Sequence, residues 1–258
     1  MCGRYASSRK PEDLVEMFDV QRWDPLESFV PAWNIAPTMP VAAVLERPVK
    51  EEGGAVRRQL RQLRWGLVPS WSKSPETGVK MINARAETVH EKPSYRRAFV
   101  SRRCLLPADG YYEWMTDDTA AADGKGKRAR KQPYFITPKD GSVMAMAGLY
   151  EFWRDRGVPD DDPAAWWVTC AVITTEAEDE LGHVHPRMPL VIGPDVRDAW
   201  LDPGLDDVDE LRSLLVPPQP GLLEMRPVST AVNSVRNDGP ELVERVDPEL
   251  GPEGATLF

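Results

Sequence analysis

The feature that most restricts the fold of this chain is a succession of apolar, β-branched and aromatic runs separated by turn residues and not by helices of constant length. Val41 to Glu46 and Val56 to Trp65 read as strands on either side of Glu51-Glu52-Gly53-Gly54, a hairpin signature. Tyr134 to Thr137 and Val143 to Tyr150 flank Lys139-Asp140-Gly141, and Trp166 to Thr175 adds another strand-like run. Helical patterning is confined to short stretches. Pro11 to Phe18 opens on Pro, carries Glu12 and Asp13 in its first turn and sets Leu14, Val15 and Phe18 on one face. Further short helices are expected over Ala84 to His90, Ser94 to Ser101, Asp195 to Leu201 and Asp207 to Leu215. Strands and helices in this order, without regular βαβ alternation, predict an α+β class with a β-rich middle.

At 258 residues, 41% hydrophobic and 28% charged, the chain has enough apolar matter for one large core and is far from the composition of disorder. One domain over residues 2–245 is expected, with an exposed insertion at 117–131, where Ala, Gly and Lys/Arg interrupt the pattern, and a flexible tail at 246–258. No apolar run reaches membrane-spanning length, and Met1-Cys2-Gly3-Arg4 lacks the apolar core of a secretory signal, so the reading is cytoplasmic with no membrane partner. Three cysteines, at positions 2, 104 and 170, show neither a disulfide framework nor metal-ligand spacing. The net charge of −9 argues against general nucleic-acid affinity, because counterion release requires clustered Lys and Arg. The charges are segregated, however. Acidic residues gather at Asp160 to Asp162, Glu176 to Glu180 and Asp202 to Glu210, whereas Arg85 to Arg103 is basic. A local basic groove and a merely solvated charged face are both compatible with this pattern.

Chemistry is suggested first by position 2. Initiator methionine is normally trimmed before a small residue, which would leave Cys2 with a free amine and a thiol on adjacent carbons. Such a 1,2-aminothiol condenses with an aldehyde: the amine forms an imine, and the thiol then closes a five-membered thiazolidine. An α-amino group titrating near ~7.7–8.0 is partly neutral at physiological pH, and a thiol near ~8.5 needs only modest activation. The bland alternative is an ordinary small residue at a terminus. Cys104 and Cys170 lie in apolar strand-like runs and read as inert core thiols.

Position 2 gains weight from a series of motifs along the chain. Met1-Cys2-Gly3-Arg4-Tyr5, Trp33-Asn34-Ile35-Ala36-Pro37, Trp65-Gly66-Leu67-Val68-Pro69, Ile82-Asn83-Ala84-Arg85-Ala86-Glu87-Thr88, Gly110-Tyr111-Tyr112-Glu113-Trp114 and His185-Pro186-Arg187-Met188-Pro189 occur in this order, with Pro227-Val228-Ser229 and Val232-Asn233 after them. Together they resemble the SRAP (SOS response-associated peptidase) family of abasic-site processing proteins, over about residues 2–240.

The resemblance implies a single SRAP-type domain with a twisted, barrel-like antiparallel sheet core flanked by short helices. It also implies a groove for single-stranded DNA in which the mature N-terminal Cys joins the ring-opened sugar of an abasic site. Carried over residue by residue, it makes Cys2 the nucleophile and places Asn83, Glu113 and His185 in the catalytic pocket. Arg4, Arg85 and Arg187 match phosphate-holding positions, Asn34 and Thr174 match positions beside the DNA site, and Pro37 and Trp71 match those that brace the strand. The chain departs from the pattern at Ser72, where relatives commonly carry a second tryptophan; a stacked base is worth about 1–3 kcal/mol, so affinity is what this substitution touches.

These assignments make chemical sense. Glu113 can move protons during sugar-ring opening and carbinolamine dehydration, His185 can shuttle protons near neutral pH, and Asn83 can orient the Cys2 amine or a sugar hydroxyl without changing charge. Plainer alternatives stand beside them: a Glu paired with an arginine, a structural His before Pro, and an N-cap for a helix starting at Ala84. Arg85 and Glu87 flank Ala86, and of the two Arg85 is expected to face the groove. No cofactor or metal is called for, the partner is single-stranded DNA bearing abasic sites, and the protein is expected to act as a monomer. β-Elimination from the imine would be a lyase side path, and peptidase chemistry is read as removal of Met1. Two rivals remain: a noncovalent reader of single-stranded or modified DNA, and a thiol peptidase.

Overall fold

Strand-forming segments dominate the chain, and those at its centre, Arg103–Ala108, Met144–Arg154 and most of Trp166–Glu176, are buried on both faces. The computed structural model describes residues 2–25, 27, 30–116, 131–159, 161–177 and 179–247. The expected insertion therefore falls outside the described residues except for Lys131, and so does the expected tail from 248 onward.

In chain order the elements are β1 (Tyr5–Ser7), α1 (Pro11–Met17), β2 (Arg22–Trp23), β3 (Ala32–Ile35), β4 (Pro40–Val49), β5 (Ala55–Trp65), β6 (Asn83–Arg85), α2 (Arg96–Ser101), β7 (Arg103–Ala108) and β8 (Gly110–Thr116). They continue with β9 (Lys131–Pro138), β10 (Met144–Arg154), β11 (Trp166–Glu176), α3 (Asp179–Gly182), β12 (Arg187–Pro189), α4 (Arg197–Leu201), α5 (Val208–Ser213) and β13 (Leu223–Pro227).

The hairpin of β4 and β5, turning through left-handed Gly53 and Gly54, seeds an eight-stranded sheet ordered β12-β11-β10-β7-β4-β5-β2, with β6 beside β11. β5 also pairs with β11, in parallel, at Thr169↔Arg64 and Cys170↔Trp65. That pairing closes β11, β10, β7, β4 and β5 into a five-stranded ring. Closure removes exposed strand edges from the centre of the fold. The ring is thus antiparallel except at its seam.

A smaller sheet, ordered β13-β9-β8-β1-β3, packs against this barrel. One alternating set of barrel residues, including Ala43, Leu63, Cys104, Leu106, Met146, Cys170 and Val172, forms a single buried cluster with Cys2, Tyr5, Tyr111 and Ile136 of the smaller sheet and its N-terminal lead-in. The other set, including Val44, Leu60, Leu105, Ala147, Leu149 and Ile173, lies under Leu14 and Phe18 of the first helical segment, Phe99 of α2, Trp200 of α4 and Leu211 of α5. Burial on both faces explains why these strands read as continuous apolar runs.

Two expectations need amendment. Strands do flank Lys139-Asp140-Gly141, but the turn carries the chain from one sheet to the other: β9 pairs with β8 and β13, and β10 with β7 and β11. The helix expected over Ala84 to His90 is absent. Residues 83–85 instead form β6, registered in parallel on β11 at Val172↔Asn83, Ile173↔Ala84 and Thr174↔Arg85. Turns come next, with the Thr88 N–H donating to the Arg85 carbonyl and that of Glu91 to the Thr88 carbonyl. Pairing with a barrel strand satisfies the backbone groups that a helix would satisfy and outweighs weak local propensity. Asn83 is consequently not a helix N-cap. The remaining helices occur where expected, and the Asp207 side chain caps α5 by accepting from Glu210 N.

Candidate functional site

The N-terminus enters the molecule through β1, which pairs with β3 at Tyr5↔Ile35 and with β8 at Tyr5↔Tyr111. This position between two strands draws Cys2 into the core, where it is fully buried. Its Sγ lies 4.0 Å from the Arg4 carbonyl oxygen, and its own carbonyl accepts a 2.8 Å hydrogen bond from Asn83 Nδ2. Burial, reinforced by the charge of Glu113, pushes the Cys2 thiol far above its ordinary value, so the sulfur is held protonated.

Asn83 is fixed from several sides. Its backbone lies in the ladder with β11, and its carbonyl accepts from Tyr95 Oη at 3.0 Å. Asn83 Oδ1 is buried with no hydrogen-bond partner among the described residues, which leaves an acceptor beside Cys2 available to a donor.

Glu113, on β8 opposite Tyr134 of β9, is buried. It lines a cleft of about 610 Å³ with Arg4, Trp114, Lys131, His185 and Asn233. Nδ1 of His185 lies 3.0 Å from the backbone nitrogen of Arg187 and 3.2 Å from its carbonyl oxygen, so the backbone of Arg187 orients the ring. Glu113 and His185 thus share one cavity, while Asn83 is joined to Cys2 and Glu113 acts on Cys2 through its charge. The four expected catalytic residues come from four separate parts of the chain.

The arginines differ. Arg4 faces the cleft and donates from Nη1 to Asn34 Oδ1 at 2.6 Å and to the Val232 carbonyl at 2.8 Å, with its guanidinium 5.8 Å from the Trp114 ring centre. Asn34, expected beside the DNA, is buried, and its Nδ2 donates to the carbonyls of Val232, Ser234 and Asn237 at 3.2, 3.0 and 2.7 Å. Its polar atoms are engaged within the protein, so it reaches the cleft only through Arg4. Arg187, on β12, donates from Nη1 and Nη2 to the two carboxylate oxygens of Glu87 at 2.7 and 3.0 Å, and from Nη2 to the Thr174 carbonyl. Thr174 itself is buried, whereas Arg85 at the end of β6 is exposed. Pro37 is half-buried, and the next residue, Thr38, adopts a positive φ of 75° while donating to the Trp65 carbonyl at 2.8 Å.

Trp71 is 62% exposed, which suits a stacking side chain. Ser72, at the family's second tryptophan position, accepts Trp153 Nε1 on its carbonyl at 2.8 Å and ties its hydroxyl to Ser74 and Thr77. It therefore anchors the loop that displays Trp71.

The basic segment 85–103 is only partly available to a ligand. Arg102 pairs with Glu151 at 2.8 Å, and Arg103 is buried, donating to the carbonyls of Phe99, Val100, Trp200, Asp202 and Leu205. Burial pushes the Arg103 guanidinium down to about 10. Sequence reasoning also missed Lys131 and Asn233 as cleft residues; Asn233 accepts Trp114 Nε1 at 2.7 Å, and its only signal was membership of the ordered motifs.

Among the described residues no group of three or more His, Cys, Asp or Glu is arranged to hold a metal, and no helix is long and apolar enough to cross a membrane. A closed barrel packed on a second sheet, with a buried Cys2 leading into that sheet and a cleft lined by Arg4, Glu113 and His185, defines the class: a β-barrel protein whose N-terminal segment contributes to a polar cleft.

Comparison with known proteins places that architecture. The family model described as SOS response associated peptidase (SRAP) matches residues 1–235, and the chain belongs to this family. It is 37% identical over 244 residues to the abasic site processing protein YoqW of Bacillus subtilis, covering 95% of this chain and 99% of that protein. It is 31% identical over 245 residues to the abasic site processing protein HMCES of Gallus gallus, covering 86% of this chain and 67% of that one. Among solved structures, a protein from Bacteroides thetaiotaomicron superposes with a TM-score of 0.75 at 24% identity, over 95% of this chain and all of the other, and shows the shared fold.

Proposed function

We propose that this chain is an abasic-site processing protein that forms a covalent thiazolidine crosslink between mature Cys2 and the ring-opened sugar of an abasic site in single-stranded DNA, shielding the lesion during repair. The observation that carries the reading is the set of groups around Cys2: the amide of Asn83 on its carbonyl, the charge of Glu113 on its thiol, and the cleft that Glu113 shares with His185 and Arg4.

The chemistry begins at nitrogen, not sulfur. Once Met1 is removed, the neutral Cys2 amine adds to the C1′ aldehyde to give a carbinolamine. Glu113 in its acid form protonates the hydroxyl, water leaves to give an iminium, and the iminium N–H proton returns to Glu113 to leave an imine. The thiol then adds across the C=N bond: sulfur bonds to C1′ and its proton passes to nitrogen, closing the ring. A buried, protonated thiol suits this last step, because it brings both the nucleophile and the proton. Asn83 Oδ1, an acceptor without a partner, is suited to receive the amine N–H and aim its lone pair. His185, its ring oriented by the backbone of Arg187, can help open the sugar by moving a proton to or from its ring oxygen. Arg4 and Arg85 would neutralise phosphates, with Asn34 and the Val232 carbonyl holding Arg4 in place. Trp71 and Pro37 would brace the strand, and Thr174 would seat Arg187. Residues 2–245 would act as one unit, with Met1 lost by peptidase chemistry of the protein's own or another's.

The relatives' shared naming as abasic site processing proteins supports the substrate class. The test is a denaturing gel of protein mixed with an abasic single strand. A band resistant to heat and denaturant is expected from wild type and from none of the Cys2→Ala or Met1-retaining proteins. Reversible binding unaffected by Cys2→Ala would establish a noncovalent reader instead.

A further inference from the structure

Glu87 is the residue whose surroundings the proposed reaction leaves unused. Its carboxylate takes the end-on pair of N–H groups of Arg187, Nη1 to Oε1 at 2.7 Å and Nη2 to Oε2 at 3.0 Å. This fork is the one by which a guanidinium grips either a carboxylate or a phosphate. Glu87 also lies in the field of Arg85, on the neighbouring strand end, and its acidity is raised chiefly by the hydrogen bonds from Arg187. The acid thus fills the fork of Arg187, where an anionic ligand would sit, within the field of a second cation, Arg85.

Arg187 does not need Glu87 for its position. Nη2 donates to the Thr174 carbonyl and reaches Thr174 Oγ1 at 3.4 Å, and its backbone is registered on β11 at Glu176. Glu87 is held less firmly. Its side chain is 47% exposed against 14% for Arg187, and an ion pair with one partner half in water contributes little net free energy, so a competing anion can displace it.

We infer that Glu87 is a built-in stand-in for a backbone phosphate, occupying Arg187 until a single strand displaces it, and that it thereby sets the affinity and salt dependence of strand binding. The inference rests on the proposed function for the identity of the ligand. It also fits the acidic balance of the chain: with its arginine already neutralised, the site offers little to stray anions and responds to a phosphate only when the rest of the strand is bound alongside.

The experiment measures binding of a labelled single-stranded oligonucleotide without abasic sites, so that no covalent step intervenes, by fluorescence anisotropy over a salt series. Wild type, Glu87→Gln, Arg187→Ala and the double variant are compared. Asp209→Asn controls for a unit change in net charge, since Asp209 is a highly exposed acid on α5. Glu87→Gln is expected to bind roughly three- to tenfold tighter at low salt, with the slope of log affinity against log salt steeper by about 0.7, one additional phosphate on a single strand. The gain should vanish in the Arg187→Ala background and be absent from Asp209→Asn.

If Glu87→Gln binds equally or more weakly, Glu87 is a positioning partner of Arg187 and the inference is overturned. A gain matched by Asp209→Asn overturns it too, as a nonspecific charge effect. Wild type that forms the covalent adduct while Glu87→Gln gains nothing removes only the Glu87 inference. Tighter binding by Glu87→Gln with no adduct from wild type removes only the crosslinking reading.

Discussion

The surroundings of Cys2 and those of Cys104 and Cys170 are equally dry, yet they are chemically unlike. All three thiols are fully buried in one cluster, and burial pushes each of them upward. Around Cys104 and Cys170 the packing is apolar barrel wall, and a side chain added at Gly148 would meet Cys104 Sγ at 2.8 Å. Around Cys2 the same dryness is interrupted by the Asn83 amide and the charge of Glu113. Accessibility and thiol acidity alone do not distinguish the three, so in the proposed reaction the polar groups within reach and the neighbouring amine single out Cys2.

The sharpest way to break this comparison is to remove each sulfur in turn. Cys2→Ala should abolish the adduct on a denaturing gel. Cys104→Ala and Cys170→Ala should retain it while losing stability, about 1–2 kcal/mol each by denaturant melts, from the small cavities left behind. An adduct that survives Cys2→Ala would erase the distinction.

Next in size is the carboxylate. Glu113→Gln keeps the shape and removes the proton donor, so single-turnover adduct formation should slow by about 10²- to 10⁴-fold with strand affinity little changed. Loss of affinity with an unchanged rate would make Glu113 a binding group. Asn83→Ala removes the hydrogen bond to the Cys2 carbonyl and the acceptor proposed for the amine; a slowing of roughly five- to 100-fold is expected in the same assay, corresponding to about 1–3 kcal/mol.

The smallest effect concerns pH. Glu87 is more acidic in the folded protein than its ordinary 4.5, so its pairing with Arg187 contributes stability that is present above that value and is lost as pH falls through the lower folded one. With the pair partly exposed, the contribution is below about 1 kcal/mol. Thermal melts of wild type and Glu87→Gln should differ slightly at neutral pH and converge in acid; a difference that grows in acid would contradict the direction of the shift.

The same contrast between apolar wall and polar inclusion governs what can be read from the sequence. β7, β10 and β11 are legible because burial on both faces writes itself as apolar runs, whereas β5 shows itself by polar–apolar spacing and Gly53-Gly54 marks its hairpin with β4. Ring closure is not, since the β5–β11 pairing joins residues over a hundred positions apart and leaves no local trace. Ala84 to His90 misleads for a related reason: three residues recruited by a distant strand override a weak helical pattern.

At the site, the ordered motifs identify the residues but not their partners. Arg103 and Arg187 are both arginines with low exposure, yet one is enclosed by five backbone carbonyls and the other forks onto the half-exposed carboxylate of Glu87. Helix geometry over 84–90 would turn Glu87 away from the face that Arg85 presents. On a strand that gives way to turns, Glu87 pairs with Arg187 and stays within the field of Arg85.

The most direct test of the central claim is the intact mass of the product formed when Met1-trimmed protein meets an abasic single strand. Closing a thiazolidine releases one water from protein plus oligonucleotide, and the account predicts a single species at that summed mass less one water, with the DNA strand uncut. Recovery of the two components separately, or an equally stable adduct from Cys2→Ala, would contradict it.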